Sequence, residues 1–389
     1  MNEHTVATWF DLRQPNFILD PRTDAGFFAP RTRINIHTII EGLEVDLVTN
    51  LPPKRLFWGI YGGGKTHTLF HIAKELEGMM PVYAVYVECP SVPKRSTFLH
   101  LYHEGIMTGF GRDYICELFQ NLLESVGLMQ HDKLRAKLAE ELADEDLGRA
   151  VAALLGFTEE KRLAFWRYIS GVTVPPRDLD GLGQTQDLTD AEPARLASII
   201  ITIGKVVKKL RKQTVVLVLD ELDRLKAVTD EFAGSTFQTA FQKLMDQNQK
   251  DVAVLMSSSA DGLRELPDVF GGERGPVLSR IGHGLVEIPE IDAVREIDDF
   301  IKAIIKHVRR DDVDFKEKVA KLNLSKGDTI DPDLYPFTVQ AIEALKSELK
   351  GIMTPREITQ RMTVAAGRAF KMNKSVISAG IIAARGGKK

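Results

Sequence analysis

Two kinds of hydrophobic pattern share this chain, and they change over near residue 290. Before that point, short and almost wholly apolar runs rich in β-branched and aromatic residues alternate with stretches of helical period. The runs are 55–60 (Arg-Leu-Phe-Trp-Gly-Ile), 82–87 (Val-Tyr-Ala-Val-Tyr-Val), 215–219 (Val-Val-Leu-Val-Leu), 252–256 (Val-Ala-Val-Leu-Met) and 285–288 (Leu-Val-Glu-Ile). Runs this short, closed by glycine, proline or acidic residues, predict strands. Apolar residues at successive positions, and not only at alternate ones, predict strands buried on both faces, as in a parallel sheet covered by helices on either side. Helical spacing is expected over 36–48, 66–76, 232–246 and most of 91–213, where a polar Pro/Gly-rich stretch at 174–190 interrupts it. Residues 1–50 carry Trp9, Phe10, Phe17, Phe27 and Phe28 among several prolines without a sustained period, which reads as an irregular arm leading into the helix near 36–48. From Ile291 onward only helical patterns remain, over 292–307, 336–349, 355–371 and 374–384. The expected organisation is an arm at 1–43, a doubly wound α/β core at 44–290 with a helical insertion at about 91–213, and an all-α domain at 291–389 with a short basic tail.

Composition adds mainly exclusions. At 389 residues the chain can build two or three cores, and 44% hydrophobic with 27% charged residues is the balance of a soluble globular protein. A net charge of −3 gives no general attraction to nucleic acid, so a DNA contact would need a local basic patch. Lys205, Lys208, Lys209, Arg211 and Lys212 form one candidate group, and Lys371, Lys374, Arg385, Lys388 and Lys389 another; either reads equally well as a solvated helix face. Cys89 and Cys116 are too few for a disulfide framework and lack metal-ligand spacing, so buried thiols in a reducing compartment are expected. No basic segment followed by an apolar core opens the chain, and no apolar run approaches the roughly 18 residues that span a bilayer. A cytoplasmic location without membrane contact is the expectation.

The chemistry is concentrated at the ends of two predicted strands. Gly59-Ile-Tyr-Gly-Gly-Gly-Lys65-Thr66 fits G-x-x-x-x-G-K-[ST] at every fixed position, between a strand and a helix as the mechanism requires. A random chain of this length would match roughly 1% of the time at ordinary glycine frequency. Gly62, Gly63 and Gly64 lack Cβ atoms and allow backbone N–H groups to wrap a phosphate, while the helix that follows adds its positive end. Lys65 would reach the β- and γ-phosphates and the Thr66 hydroxyl would ligate Mg²⁺. The 215–219 run ends in Asp220-Glu221: Asp220 is placed to hold the magnesium shell and Glu221 to polarise an attacking water. Two adjacent carboxylates favour a hydrolase over a passive nucleotide binder.

The segment Leu219-Asp-Glu-Leu-Asp-Arg-Leu225 resembles the D-E-L-D-x-L segment of AAA+ ATPases in the origin-recognition/Cdc6-like clade. That resemblance implies ATP as the nucleotide, an ATP hydrolase activity, a homo-oligomer and a helical lid. It also implies roles for residues further along. The strand at 252–256 looks like the sensor-1 strand, with Ser257, Ser258 or Ser259 as the polar sensor and Ser258 taken as the candidate. Arg280, in Leu278-Ser-Arg-Ile-Gly282, resembles the arginine finger that reaches a neighbouring subunit, with Arg274 as its alternative. Thr354-Pro-Arg-Glu357 is similar to the sensor-2 motif and makes Arg356 a contact to the γ-phosphate. Two departures stand out: the residues after that helix are too few for a DNA-gripping winged helix, and the insertion exceeds what a minimal core needs. Within the insertion, Phe165-Trp-Arg-Tyr-Ile-Ser-Gly171 followed by Gly181-Leu-Gly183 resembles ATP-binding proteins of BREX-type phage-defence islands, as does the loop continued through His67, a further candidate at the nucleotide. The sequence shows no nuclease or protease motif, so a separate effector or partner protein is expected. An ATP-driven machine on DNA and a nucleotide-gated switch acting on a protein partner both remain open; a scaffold without useful hydrolysis is disfavoured by Asp220 and Glu221.

Overall fold

The computed structural model describes residues 5–127, 130–156, 158–246, 249–272, 275–292, 295–322, 324–349 and 353–383. All five predicted strands are present: β1 (Lys54–Gly59), β2 (Val82–Glu88), β3 (Thr214–Asp220), β4 (Val252–Ser259) and β5 (Leu285–Glu287). They form one parallel sheet in the order β2-β3-β4-β1-β5. Every residue of β3 from Val215 to Asp220 is buried, as is every residue of β4 from Val252 to Ser258. Side chains on a strand alternate between faces, so burial at both parities means that both faces of the central strands are covered. The register sets Asp220 level with Glu88 of β2, Leu219 level with Met256, and Gly59 level with Ser259 of β4. All strands run the same way, so β1, β3 and β4 present their carboxyl ends at one edge of the sheet.

Among the described residues the chain divides into two compact units. One holds 37–59 and 72–287, which includes the sheet and the helical insertion; the other gathers the arm up to Ile36, residues 60–71 and the chain from Ile288 onward. In the sheet unit the long helix Pro193–Arg211 starts on a proline in its first turn and ends in Lys208, Lys209 and Arg211, charges that suit a helix C-terminus. It lies close to β4: a Cβ on Gly204 would stand 2.5 Å from Val252 Cγ2 and 2.7 Å from the Asp251 carbonyl, so only glycine fits. The insertion is helical as expected, and the Pro/Gly-rich interruption contains a short helix, Pro176–Gly181. Side-chain caps close several of its helices, Asp144 accepting from Leu147 N at 2.9 Å and Thr158 from Lys161 N at 3.3 Å. Phe165, Tyr168 and Ile169 are buried in the core that the insertion shares with β2 and β3.

The other unit explains the arm's aromatics. Phe10 and Phe17 are fully buried with Ile297, Ile301, Phe337 and Met362 in a second core. Trp9 packs edge-on against Phe370 and donates its indole N–H to the Lys374 carbonyl at 2.8 Å. The arm also contains a short helix, Val6–Phe10, capped by Thr5, where the sequence shows no period. Five residues are too few to register one. Among the described residues no helix is long and apolar enough to cross a membrane.

Candidate functional site

The glycine-rich loop has the conformation its composition requires. Gly62 and Gly64 take φ of 78° and 94°, a region costly to residues with a Cβ. A Cβ on Gly62 would approach Arg356 Cβ and Thr354 Oγ1 to 3.2 Å each, and one on Gly63 would come within 3.1 Å of the Ile60 carbonyl. The cradle is thus tight around Gly62 and Gly63, and its backbone is free to approach a phosphate. Lys65, only 6% exposed, donates from Nζ to the Ile60 carbonyl at 2.7 Å and so lies folded over the loop. Lys65 opens the helix Lys65–Met79, whose first N–H groups, among them that of Thr66, have no partner within the helix. An anion is the natural occupant of such a place. Residues 62–66 therefore fit a phosphate group.

The helix Pro355–Lys371 meets this loop. Thr354 caps it, accepting from Glu357 N at 3.1 Å, with Pro355 in the first turn. The Arg356 amide donates to the Gly62 carbonyl at 3.4 Å, and its guanidinium lies 4.7 Å from the centre of the exposed Tyr61 ring. Arg356, proposed from the sequence as the lid contact, is therefore a neighbour of the loop.

A buried clasp that sequence reasoning missed holds the same loop. The Arg31 side chain, 4% exposed, donates to the carbonyls of Gly63 (3.4 Å) and Pro289, and its Nε stands 3.9 Å from Glu296. Burial pushes the Arg31 guanidinium down to about 10, with Glu296 working against that fall. Burial would raise the Glu296 carboxyl, but the Asp292 and Arg33 amides, the Thr32 hydroxyl and the charge of Arg31 outweigh it, and the pKa is lowered. Arg31 in Pro30-Arg-Thr-Arg33 carries no spacing that would have marked it. His67 hydrogen-bonds through Nε2 to the Phe27 carbonyl at 2.6 Å. Burial lowers its pKa against the pull of that carbonyl, so the ring is neutral at pH 7, Nε2 carries the proton, and Nδ1 is a buried acceptor with no hydrogen-bond partner. Phe28 stacks on His67 and on His71 one turn further along.

The acidic half is built on the sheet. Asp220, 6% exposed, ends β3 and accepts a hydrogen bond from the Ser257 hydroxyl. The Glu221 amide in turn donates to Ser257 Oγ at 3.2 Å, so one serine of β4 ties down both acidic positions. Ser258 is fully buried, and its hydroxyl has no hydrogen-bond partner; Ser259 meets Asp223 through its backbone amide at 3.0 Å. Parity explains the difference: Ser257 is level with Asp220 and shares its face, whereas Ser258 points the other way. Glu221 leaves the strand in the left-handed region (φ 57°). Burial pushes its carboxyl up, Arg224 pulls it back, and the charges of Asp220, Glu88 and Asp223 push it up again.

Arg280 lies on the short helix Pro276–Ile281, half-exposed, donating to the Pro276 carbonyl at 2.7 Å. Arg274, its alternative, lies outside the described residues, as do Arg385, Lys388 and Lys389. The first basic group is engaged locally: Lys209 pairs with Glu141 at 2.6 Å, Arg211 with Glu117 at 2.9 Å, and Lys208 bonds Asn50. Lys205 lines a cavity of about 470 Å³ with Asp144, Lys243 and Asp251.

No protein-family model matches this chain, and no curated protein matches it. Among solved structures, the Aeropyrum pernix ORC1 protein in complex with DNA is similar at 13% identity and a TM-score of 0.45, over 91% of this chain and 65% of that one. The Aeropyrum pernix ORC2 protein in its ADPNP–ADP complexes is similar at 12% identity and a TM-score of 0.49, over 92% of this chain and 68% of that one. CDC6P from Pyrobaculum aerophilum follows at 12% identity and 0.43, with 92% and 68% covered. This chain thus spans about two thirds of the length of each of the three.

Proposed function

We propose that this chain is a P-loop ATPase of the AAA+ type that binds ATP with Mg²⁺ and hydrolyses it. The observation that carries the reading is the order of groups along one sheet edge. Going outward from β1, which ends in Gly59 and the phosphate loop, the next strand supplies Ser257 and the one beyond it Asp220 and Glu221. Gly59 and Asp220 end strands that are two places apart in the sheet, at the same carboxyl edge. Lys65 and the loop amides would neutralise the phosphates, Thr66 and Asp220 would hold the metal, and Glu221 would take the proton of the attacking water. Magnesium commonly keeps several waters and takes only one or two protein ligands, so no larger ligand cluster is needed. Ser257 serves as the sensor in this reading, in place of Ser258. Arg356 would read the γ-phosphate. Arg280, exposed enough to reach a second copy, would complete the neighbour's site, which makes the active species a homo-oligomer.

The work done with ATP is assembly or remodelling on DNA, in the same proposal. An oligomer whose formation follows nucleotide state is a device for closing around a polymer and letting it go. The resemblance of the Leu219–Leu225 segment to origin-recognition relatives favours DNA as that polymer. A phage-defence setting rests only on the Phe165-Trp-Arg-Tyr-Ile-Ser-Gly171 segment and its Gly181-Leu-Gly183 sequel, and core packing of Phe165, Tyr168 and Ile169 accounts for the first on its own. The pairing of Lys209 and Arg211 with glutamates favours a second reading, a nucleotide-gated switch that captures a protein partner without DNA. Steady-state ATP hydrolysis with and without double-stranded DNA, with particle mass followed by light scattering, separates the two. DNA stimulation together with an ATP-dependent rise in mass supports the DNA machine; hydrolysis indifferent to DNA supports the switch.

A further inference from the structure

The phosphate loop carries one large side chain among its glycines, and that side chain is turned outward. Tyr61, just before Gly62, is 68% exposed, so its ring gains little from burial. What it touches is the start of the helix Pro355–Lys371: the carbon at the centre of the Arg356 guanidinium lies 4.7 Å from the ring centre. The backbone around this pair is anchored. The Arg356 amide donates to the Gly62 carbonyl at 3.4 Å, and Thr354 caps the helix. Pro355 packs beside Gly64, where an added Cβ would stand 3.6 Å from Pro355 Cγ. Tyr61 and Arg356 thus start from neighbouring, fixed stretches of chain, and only their side chains are left to find one another.

An arginine side chain has many rotamers, and a contact to phosphate must freeze them. A partner that restrains the guanidinium beforehand lowers that cost, provided it does not use up the donors. A carboxylate would use them, taking two N–H groups at once. A ring face attracts the cation through its quadrupole and accepts no ordinary hydrogen bond, so the N–H fork stays available for phosphate oxygens. We propose that Tyr61 is a positioning residue that holds the Arg356 guanidinium at the phosphate loop for the γ-phosphate, and so helps to set the preference for ATP over ADP. The proposal rests on the reading of this loop as an ATP site with Arg356 at the γ-phosphate.

The test is direct binding of ADP and of a non-hydrolysable β,γ-imido analogue of ATP to the full chain, each with Mg²⁺. The proteins are wild type, Tyr61→Leu, Tyr61→Phe, Arg356→Ala and the double variant of Tyr61→Leu with Arg356→Ala. The readout is the ratio of the two affinities, because a general loosening of the loop weakens both nucleotides alike and leaves the ratio in place. Arg356→Ala should lower the ratio about ten-fold or more, the scale of a charge-assisted bond to phosphate. Tyr61→Leu should lower it about two- to five-fold, the range of an exposed cation–π contact. Tyr61→Phe keeps the ring face and should stay closer to wild type than Tyr61→Leu does. The double variant should match Arg356→Ala, since the ring then has no cation to hold. A wild type that binds neither nucleotide, or an Arg356→Ala ratio equal to wild type, overturns the reading of the site and the role of Tyr61 together. With Arg356→Ala lowered as expected, the role of Tyr61 alone is overturned if Tyr61→Leu leaves the ratio unchanged, if Tyr61→Phe lowers it as much, or if the double variant falls below Arg356→Ala.

Discussion

The phosphate loop and the acidic strand end are made by different means. The loop is backbone chemistry: three glycines, a helix start, and carbonyls held by the buried Arg31 guanidinium and by the amide of Arg356. The acidic end is side-chain chemistry on a rigid sheet, where Ser257 fixes Asp220 and the amide of Glu221 while, among the described residues, the Glu221 carboxylate pairs with a half-exposed arginine. A grip on phosphate needs many fixed donors and little motion, whereas a base that acts once per turnover needs a carboxylate that can move. The contrast implies that perturbing the first region costs binding and stability, and perturbing the second costs turnover.

The largest expected effect lies in the loop's clasp. Arg31→Ala leaves Glu296 without its cation and the Gly63 and Pro289 carbonyls without their donor, and losing one partner of a buried ion pair costs about 3–5 kcal/mol. A drop of this size in urea unfolding, with ATP affinity falling alongside, is expected; an unchanged midpoint would make the clasp incidental. Next in size is the serine pair on β4. Ser257→Ala removes the only hydroxyl that touches Asp220 among the three serines and should slow hydrolysis about 10- to 100-fold, the scale of a lost hydrogen bond to a charged group. Ser258→Ala, which loses no bond, should stay within about two-fold. Reversed results would put the sensor on the other face of the strand.

A smaller effect distinguishes the regions by pH. The Glu296 pKa is lowered on folding, so its contribution is fully present above the unfolded value of about 4.3 and is lost as pH falls through the folded value. Unfolding followed between pH 3 and 6 should show that acid-side loss in wild type and a flatter profile in Glu296→Gln. The smallest effect concerns Cys89, whose thiol burial pushes up to about 12. Alkylating reagents at pH 8 should leave it unlabelled in the folded chain, and fast labelling would show that the end of β2 opens.

How much of this could be read from the sequence follows from the same contrast. The loop is legible because its mechanism fixes residue types at fixed spacing within eight positions, and the strands are legible because double burial leaves unbroken apolar runs. Asp220 and Glu221 stand out at the end of such a run. Ser257 could not be told from Ser258, because the choice depends on the register that sets Asp220 level with Ser257, and register is a tertiary fact. Arg31 and Glu296 are 265 positions apart and give no local signal. The helices Val6–Phe10 and Phe315–Ala320 are too short to show a period, and Phe10 and Phe17 look like scattered aromatics until the core they fill is seen. The resemblance of 165–171 to other proteins coincides with core positions, where packing alone selects aromatic and aliphatic residues.

The most direct measurement is ATP affinity and hydrolysis side by side for Lys65→Ala and Glu221→Gln. If the two regions divide the work as described, Lys65→Ala should bind ATP about 100-fold more weakly, for the loss of a charged contact to phosphate. Glu221→Gln should bind as wild type does yet hydrolyse about 10²- to 10⁴-fold more slowly, for the loss of a general base. Glu221→Gln hydrolysing at the wild-type rate, or Lys65→Ala binding ATP unchanged, would contradict the account.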